Sequence, residues 1–381
     1  MLKRRIASEV STALKRFPAV VINGPRQVGK TTLAKSLLSK KKIVYLDLEL
    51  PSHLLKLSDP EEFLRYNQKH LVIIDEVQRM PEIFPLLRAL IDEERSPGRF
   101  LLLGSASGSI LHHSSESLAG RVKFLELTPF HLTEIKGDRN VHWWRGGFPE
   151  AFLTNNDAIS TDWLDAFMRT FLERDLPAFN TKITPELIYR LFQMLAHIHG
   201  NVLNASELAR SLDISPPTIK YYLDILENAM LIRRLPPYHV NTKKRLVKSP
   251  KVYIRDSGLL HRLLNIPIFS DLFGHPKLGA SWEGYVLEQI CSILPQDIIP
   301  YFYRTAKGAE IDLILVRGME IIQVIEIKYS KSPDLERGIY TVLQDLEQTD
   351  LIVAYPGSDT YPIKKGITIT SLTDVIQKLL G

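Results

Sequence analysis

The sequence predicts an α/β protein of several domains, and three observations carry that prediction. Short apolar segments typical of buried strands alternate with helical patterns over about the first 135 residues. A helical region with helix-turn-helix spacing follows, and mixed helical and strand patterns return in about the last 100 residues. At 381 residues the chain has room for two or three domains, and 45% hydrophobic with 24% charged residues excludes global disorder.

The composition also limits the class of function. A single cysteine, Cys291, excludes a disulfide framework and a cysteine-based zinc site, and it fits a cytoplasmic protein. No apolar run reaches the length of about 18 residues that predicts a membrane span. The charged N-terminal segment does not fit a signal peptide. The net charge of +5 permits a nucleic-acid partner without requiring one.

The first domain is predicted over residues 1–140. Apolar side chains recur at helical spacing over residues 2–17, with lysines and arginines between them, which predicts an amphipathic helix. Strands are predicted at 19–23, 43–48, 71–74, 100–103 and 121–127, with helices at 31–39 and 84–94. Strands this uniformly apolar belong to a parallel sheet that is covered on both faces.

A glycine-rich loop follows the first strand and precedes a helix. Its sequence matches G-x-x-x-x-G-K-[ST], with Thr32 directly after it; the matching residues are Gly24, Pro25, Arg26, Gln27, Val28, Gly29, Lys30 and Thr31. The amide groups of such a loop face phosphate oxygens, and the helix N-terminus adds positive potential. Lys30 can reach the β- and γ-phosphates, and the Thr31 hydroxyl can hold Mg²⁺. The loop therefore predicts a nucleotide site.

Two carboxylates support this site. The apolar segment 71–74 ends in Asp75 and Glu76, and parallel strands present one edge to the ligand crevice. Asp75 would meet the Mg²⁺ beside Lys30, and Glu76 would activate the attacking water. The alternative is that the pair only solvates a strand end.

Two further polar residues follow later strands. Ser105 ends the strand 100–103 near the expected γ-phosphate, which makes it a candidate sensor, although a Gly-Ser turn without a role explains it nearly as well. Arg121 precedes the strand 121–127 and is a candidate arginine finger acting in a neighbouring subunit. The alternative for Arg121 is an ordinary surface arginine.

At this point a family resemblance becomes specific. The chain closely resembles the prokaryotic AAA-type ATPases that carry a C-terminal domain of unknown function, and the resemblance rests on Gly-Pro-Arg-Gln-Val-Gly-Lys-Thr-Thr, Ile-Ile-Asp-Glu-Val-Gln, Leu-Gly-Ser-Ala-Ser, Ser-Leu-Ala-Gly-Arg and Gly146-Gly147-Phe148-Pro149. It covers essentially the whole chain. It implies an AAA-type ATPase core with a helical lid over 141–200, and it assigns Lys30, Thr31, Asp75 and Glu76 to ATP, Ser105 to the sensor and Arg121 to the finger.

The resemblance also bears on assembly and on the lid. A finger acting in a neighbour makes a homo-oligomer the expected active form. The family's asparagine-like sensor position is a serine in this chain. Arg174 is either a lid arginine or an ion-paired helix end.

The middle domain, predicted over 201–248, resembles a winged helix-turn-helix. Ser215 can cap its second helix, whose exposed positions are expected to include Lys220, Tyr221 and Tyr222. Acidic residues on the same helix also allow a packing module that binds no groove. The basic stretch 233–255 lies at the wing position, suited to phosphate contact or to a solvated loop.

The C-terminal domain, predicted over 249–381, carries a third constellation. Residues two apart on a strand share a face, so Asp312 lies beside Glu310 on one strand, and Glu326 lies beside Lys328 on the next. Asp312 and Glu326 can hold Mg²⁺, and Lys328 can orient a water that attacks a phosphodiester. Glu283 is a candidate for a further carboxylate.

This pattern resembles the PD-(D/E)XK nucleases, which implies a mixed α/β, restriction-endonuclease-like fold. The alternatives are a surface salt bridge or a fold that has lost its activity.

Together these features predict an ATPase that uses ATP and Mg²⁺. It would be coupled to a C-terminal domain that binds or cleaves nucleic acid, DNA more than RNA, without a membrane partner. The alternative is a non-nucleolytic, ATP-dependent switch or a DNA-binding regulator that uses the nuclease-like fold only as a binding platform.

Overall fold

A computed structural model describes residues 2–37, 43–105, 118–176, 184–239 and 244–380. The chain divides into two compact units, Met1–Lys136 with Asn228–Met230, and Gly137–Glu227 with Leu231–Gly381. The finer boundaries predicted within residues 137–381 stay predictions. Across the described ranges, no helix combines the length and the apolar character needed to cross a membrane.

The first unit is built on one parallel sheet. Its strands are β1 (Ala19–Gly24), β2 (Ile43–Asp47), β3 (Leu71–Asp75), β4 (Phe100–Ser105) and β5 (Val122–Glu126), in the order β2-β3-β4-β1-β5. All neighbouring strands run parallel. Because these strands run parallel, the carboxyl ends of β1 and β3 lie at the same edge of the sheet. Only β4 lies between the two strands.

Both faces of this sheet are covered. The helices of the unit are α1 (Ile6–Ala13), α2 (Lys30–Ser36), α3 (Pro51–Lys56), α4 (Pro60–Tyr66) and α5 (Ile83–Glu93). One apolar cluster joins α1 and α2 to alternate residues of the strands, including Val20 and Ile22. A second cluster joins the residues between them, Ala19 and Val21, to α4 and α5. The prediction of a parallel sheet covered on both faces is therefore confirmed.

The first helix is shorter than predicted. The apolar spacing predicted a helix over residues 2–17, but α1 ends at Ala13 and turns follow. Phe17 precedes Pro18, and a residue before proline is disfavoured in the helical region. The chain must also straighten there to enter β1.

The second unit begins with helices. They are α6 (Arg139–Arg145), α7 (Pro149–Leu153), α8 (Asp157–Thr170) with a π-helical turn at Phe171–Asp175, α9 (Pro185–His197), α10 (Ala205–Leu212) and α11 (Pro216–Asn228). A two-stranded antiparallel sheet follows, formed by β6 (Ile232–Leu235) and β7 (Lys251–Ile254). The next helices are α12 (Ser257–Leu263), α13 (Phe269–Leu272) and α14 (Leu278–Cys291).

The chain ends in a six-stranded mixed sheet. Its elements are β8 (Ile298–Arg304), β9 (Glu310–Arg317), β10 (Glu320–Ile327), α15 (Arg337–Asp345), β11 (Leu351–Tyr355), β12 (Tyr361–Lys364), β13 (Ile367–Ser371) and α16 (Leu372–Leu380). The strand order is β12-β13-β11-β10-β9-β8. The strands β8, β9 and β10 pair antiparallel, whereas β10, β11 and β13 pair parallel. The predicted mixed α/β character is confirmed.

Strands were predicted from the sequence at 310–316, 321–328 and 351–354, but three strands of this sheet, β8, β12 and β13, were not predicted. The outermost strands, β8 and β12, contain Pro300 and Pro362, and proline is tolerated at a sheet edge although it weakens a strand pattern. The described residues of β12 are all exposed, so no apolar period marks that strand. The strand β13 follows within a few residues and is short.

The Gly-Gly-Phe-Pro segment, residues 146–149, is linked through Asp256 to the start of α12 within the second unit. Gly146 ends α6 with φ 76°, and a Cβ there would lie 2.1 Å from Asp256 Oδ1. The Gly147 N–H donates to Asp256 Oδ2 at 2.8 Å, while Asp256 Oδ1 accepts from the Leu259 N–H at the start of α12. This motif supported the family resemblance, and its visible role is structural.

Candidate functional site

The loop after β1 has the backbone shape that phosphate binding requires. Gln27 and Gly29 both adopt left-handed conformations, with φ of 59° and 94°, which curls the loop before α2 begins at Lys30. Glycine is required at Gly24, because a Cβ there would lie 2.3 Å from the Leu127 carbonyl oxygen. Such a curl turns successive N–H groups toward one point.

Lys30 lies inside this loop. Its side chain is buried, with the residue only 6% exposed, and Nζ donates to the carbonyl oxygens of Gly24 at 3.0 Å and Pro25 at 2.8 Å. Burial lowers the pKa of Lys30 to about 8, against the opposing charges of Glu76 and Asp75. An ammonium that donates to two carbonyl oxygens can exchange them for phosphate oxygens.

Asp75 and Thr31 are in direct contact. The Thr31 hydroxyl donates to Asp75 Oδ2 at 2.6 Å, and the Tyr45 hydroxyl donates to the same oxygen at 2.7 Å. Asp75 Oδ1 accepts the N–H of Glu76 at 3.0 Å. Hydroxyl and carboxylate oxygens of this kind suit Mg²⁺, so the residues fit the metal that the resemblance implies.

Glu76 follows in a left-handed conformation, with φ 54°. Gln78 Nε2 donates to Glu76 Oε2. Burial raises the pKa of Glu76, while the nearby Lys30 charge opposes that change. The carboxylate is therefore close to the loop lysine and is held by a neutral donor.

Two residues of this site were missed by sequence reasoning. Tyr45 lies on β2, and only the parallel pairing of β2 with β3 brings it to Asp75. Arg4 is buried, and its Nη1 donates to the Val28 carbonyl oxygen at 2.9 Å. Its Nε pairs with Glu134 at 3.1 Å. No local motif marks either residue.

The predicted sensor and finger occupy defined backbone positions. Ser105 ends β4 in register with Gly24 of β1, and its side chain lies outside the described atoms. Arg121 forms a forked ion pair with Asp92, with Nε–Oδ1 at 2.6 Å and Nη2–Oδ2 at 2.8 Å. Arg174 lies in the π-helical turn of the second unit. The functional roles of these residues stay predictions.

The second predicted cluster is also brought together. The pairing of β9 with β10 sets Ile325 against Leu313, which places Asp312 beside Glu326 at the next position. The Ile327 N–H donates to Asp312 Oδ2 at 2.9 Å, and Lys328 Nζ pairs with Glu326 Oε1 at 2.8 Å.

An unexpected lysine lies within this cluster. Lys251, at the start of β7, is 2% exposed, and its Nζ lies 3.0 Å from Glu283 Oε1, 2.5 Å from Glu310 Oε1 and 3.5 Å from Asp312 Oδ1. The Tyr253 hydroxyl also donates to Glu283 Oε1, at 2.5 Å. From the sequence, Lys251 belonged only to the basic stretch.

Burial dominates the electrostatics of this cluster. It raises the pKa of Glu283 to about 7, and it raises the pKa of Glu326 well above its usual range, with Asp312 adding to the shift. Burial alone would lower the pKa of Lys251, but the charge of Glu283, with contributions from its other acidic neighbours, raises it well above its usual range. Lys251 is therefore charged at neutral pH.

Most of the basic stretch is paired internally. Five of the seven cations that the structure describes there form ion pairs: Arg233 and Arg255 with Glu288, Arg234 with Asp224 and Glu227, Lys244 with Asp345, and Lys251 with the acidic cluster. The charge of each of these cations is at least partly neutralised by a neighbouring carboxylate. This pairing weakens the expectation that the stretch contacts phosphate.

The segment predicted to be a helix-turn-helix contains α10 and α11. The Ser215 hydroxyl accepts the Thr218 N–H at 3.3 Å, at the start of α11. Lys220 and Tyr221 are exposed, but Tyr222, expected to be exposed, is buried and packs in the core of the unit. The helical period of 3.6 places Tyr222 on the same side as the buried Ile219.

A metal centre that differs from the Thr31–Asp75 site would be a cluster of histidine, cysteine, aspartate or glutamate side chains. Over the ranges that the structure describes, no group of three or more histidine, cysteine, aspartate or glutamate side chains is placed to hold a metal ion. The Thr31–Asp75 pair is not a group of this kind, because one of its oxygens is a hydroxyl.

Comparison with known proteins divides the chain in three. Residues 16–136 match AAA_14, an AAA domain, residues 137–268 match a domain of unknown function (DUF8612), and residues 278–375 match another (DUF4143). An uncharacterised protein of Mycobacterium tuberculosis is 40% identical over 375 residues, which covers 98% of this chain and 84% of that protein.

More distant similarities follow. An uncharacterised protein of Haemophilus influenzae is 24% identical over 345 residues, covering 80% of this chain and 81% of that protein. Among solved structures, the Walker-type ATPase of Pyrococcus abyssi aligns with a TM-score of 0.49 and 14% identity, covering 70% of this chain and 96% of its own.

Proposed function

The chain belongs to the same family as the mycobacterial protein, with an AAA domain and a C-terminal domain of unknown function, and on that basis we propose that it is a Mg²⁺-dependent ATPase. The observation that carries this proposal is the group formed at one sheet edge by Lys30, Thr31, Asp75 and Glu76. The Lys30 ammonium is within electrostatic reach of both carboxylates.

The loop would bind the phosphates of ATP. The backbone from Gly24 to Thr32, through Pro25, Arg26, Gln27, Val28 and Gly29, supplies N–H donors at the start of α2. Lys30 would release the Gly24 and Pro25 carbonyl oxygens and move its ammonium to the phosphate oxygens. The buried position of Lys30 strengthens that attraction, because charges interact more strongly away from water.

Thr31 and Asp75 would hold Mg²⁺. When bound, Mg²⁺ neutralises charge on the phosphate oxygens. The hydroxyls of Thr31 and Tyr45 both donate to Asp75 Oδ2. The Tyr45 hydroxyl thereby fixes the orientation of the Asp75 carboxylate. Glu76 would accept the proton of the attacking water, and the burial that raises its pKa makes the carboxylate a stronger base.

The test is steady-state ATP hydrolysis by the full chain with Mg²⁺. Lys30→Ala is expected to lose ATP binding, and Glu76→Gln is expected to keep binding while kcat falls by about 100-fold or more. Lys15→Ala, an exposed lysine of the same unit, is the matched control and should behave as wild type. Unchanged turnover in Lys30→Ala and Glu76→Gln would sink the site assignment.

Ser105 and Arg121 are proposed to complete the site, as γ-phosphate sensor and as a finger supplied by a neighbouring copy. The Asp92–Arg121 pair would then have to open when copies of the chain assemble. Specific activity should rise with protein concentration in wild type and not in Arg121→Ala. A specific activity that does not change on dilution would argue against the finger.

For the second unit we propose a nucleic-acid partner, DNA more than RNA. What supports it is the succession of α10, α11 and the β6–β7 hairpin, which follows winged-helix order, with Lys220 and Tyr221 exposed on α11. Arg234 neutralises the acidic residues of this helix, Asp224 and Glu227. The proposed location remains the cytoplasm, without a membrane partner.

The second candidate function is a non-nucleolytic platform with a restriction-endonuclease-like fold. The specific observation in its favour is the Lys251 ammonium among the carboxylates that a nuclease would give to Mg²⁺. The test is cleavage of labelled single-stranded, duplex and branched DNA and RNA with Mg²⁺ or Mn²⁺, with and without ATP. Scission that is lost in Lys328→Ala would establish a nuclease, and binding without scission would favour the platform.

A further inference from the structure

The nuclease resemblance implies a metal at Asp312 and Glu326, but the residues present do not fit one. Asp312 Oδ2 accepts the Ile327 N–H at 2.9 Å, and Asp312 Oδ1 lies 3.5 Å from Lys251 Nζ. Glu326 Oε1 is paired with Lys328. Mg²⁺ requires about six oxygens in a near-octahedral shell, and here a buried protein cation, Lys251, already lies against the Asp312 carboxylate.

The carboxylates of Glu283, Glu310, Asp312 and Glu326 form an acidic pocket. Lys251 contacts more carboxylates in this pocket than a cation in a surface ion pair does. An ammonium has three N–H donors, and Lys251 Nζ has three carboxylate neighbours, Glu283, Glu310 and Asp312, at 3.0, 2.5 and 3.5 Å. The side chain is also almost wholly removed from solvent. One protein cation therefore serves carboxylates from α14 and β9.

One buried oxygen of the pocket is left over. Glu326 Oε2 has no hydrogen-bond partner among the residues described, and the Glu326 side chain is only 5% exposed. A buried carboxylate oxygen without a partner is costly, and it marks the direction in which a cation would find a further ligand. Asp312 lies beside Glu326 and would have to share such a cation with it, but Asp312 Oδ1 already lies 3.5 Å from the Lys251 ammonium.

We propose that Lys251 is the resident cation of this pocket, and that Lys251 and a divalent metal ion exclude each other there. With Lys251 in place, the group formed by Asp312, Glu326 and Lys328 does not act as a metal-dependent hydrolytic centre. The ammonium instead ties β7 to β9 and α14. This inference rests on the second unit alone and does not depend on ATP hydrolysis.

The experiment measures Mn²⁺ binding to the full-length chain by electron paramagnetic resonance. Every variant carries Asp75→Asn, so that the proposed nucleotide site contributes no metal. Lys251→Met is expected to gain one Mn²⁺ site, with an affinity at least 10-fold above the parent, and Lys251→Arg should gain none because it retains the cation. Adding Asp312→Asn to Lys251→Met should remove the new site.

A second variant guards against misfolding. Lys251→Met leaves buried carboxylates without their cation, so Lys251→Met/Glu283→Gln removes one of those acidic groups together with the cation. It too should bind Mn²⁺ and should melt at a higher temperature with Mn²⁺ than without it. Lack of Mn²⁺ binding by both methionine variants would overturn the proposal, as would equally tight, Asp312-dependent binding by the parent.

Discussion

Arg4 is expected to hold the loop between β1 and α2, which is proposed to bind phosphate, in shape and to stabilise its unit. The Val28 carbonyl and the Gly29 N–H belong to one planar peptide group and point in opposite directions. Because Arg4 Nη1 holds the Val28 oxygen at 2.9 Å, the Gly29 N–H is turned the other way. Replacing Arg4 with methionine keeps an unbranched side chain of similar reach and removes the donors.

The size of the effect follows from the contacts that are lost. Breaking a buried ion pair by removing one partner costs about 3–5 kcal/mol. Glu134 keeps two backbone donors, the N–H groups of Arg5 at 2.6 Å and His131 at 3.0 Å, so the lower end applies. The Thr128 carbonyl oxygen also loses its Arg4 donor. We expect the free energy of unfolding of the first unit to fall by about 3 kcal/mol.

The assay combines urea unfolding with ADP binding by titration calorimetry. Hydrogen exchange of peptides from residues 2–37 assigns the unfolding transition to the first unit. Because the loop loses its anchor, ADP affinity should fall by about tenfold or more, which is about 1.4 kcal/mol.

Arg5→Ala is the matched control for Arg4→Met. Arg5 pairs with Glu9 at the surface, and its backbone N–H to Glu134 survives the substitution, so its unfolding free energy should change by less than about 1 kcal/mol. The reasoning is refuted if Arg4→Met matches Arg5→Ala in both unfolding free energy and ADP affinity.

Three further outcomes are expected. Tyr45→Phe should raise the Mg²⁺ concentration for half-maximal ATP hydrolysis by about 3-fold or more, because one hydrogen bond worth about 1 kcal/mol is lost. An unchanged Mg²⁺ curve would contradict the role of Tyr45 in orienting Asp75. Burial lowers the pKa of His199 to about 3, so its contribution to stability is complete above pH 6.5 and is lost as the pH falls toward 3. In urea titrations, the free energy of unfolding of His199→Asn should fall less steeply with falling pH than that of wild type. Equal slopes of unfolding free energy against pH between 6.5 and 4.5 would contradict this prediction. Gly146→Ala should destabilise the second unit by more than about 2 kcal/mol, because φ is 76° and the new Cβ would meet Asp256. Gly279→Ala, in a helix with nothing within 4 Å of the new Cβ, is the control and should be neutral or stabilising when both variants are unfolded in urea.

Much of the fold and the nucleotide loop could be predicted from the sequence by itself. The loop from Gly24 to Thr32 is contiguous, and its glycines and lysine act through local backbone shape, so a short pattern contains the needed information. The parallel sheet was also predictable, because strands buried on both faces are apolar throughout. The proximity of Asp312 to Glu326 was predictable too, because side chains two apart share one face of a strand and the two strands are adjacent.

Only the tertiary structure decided which charges face each other. Arg4 meets Glu134, and Lys251 meets Glu283 and Asp312, across separations that no local pattern encodes. A basic stretch looks free in sequence because its partners come from other helices and strands. Burial then decides the outcome, since a charge removed from water must be paired, and the partner is whichever group the packing brings within reach.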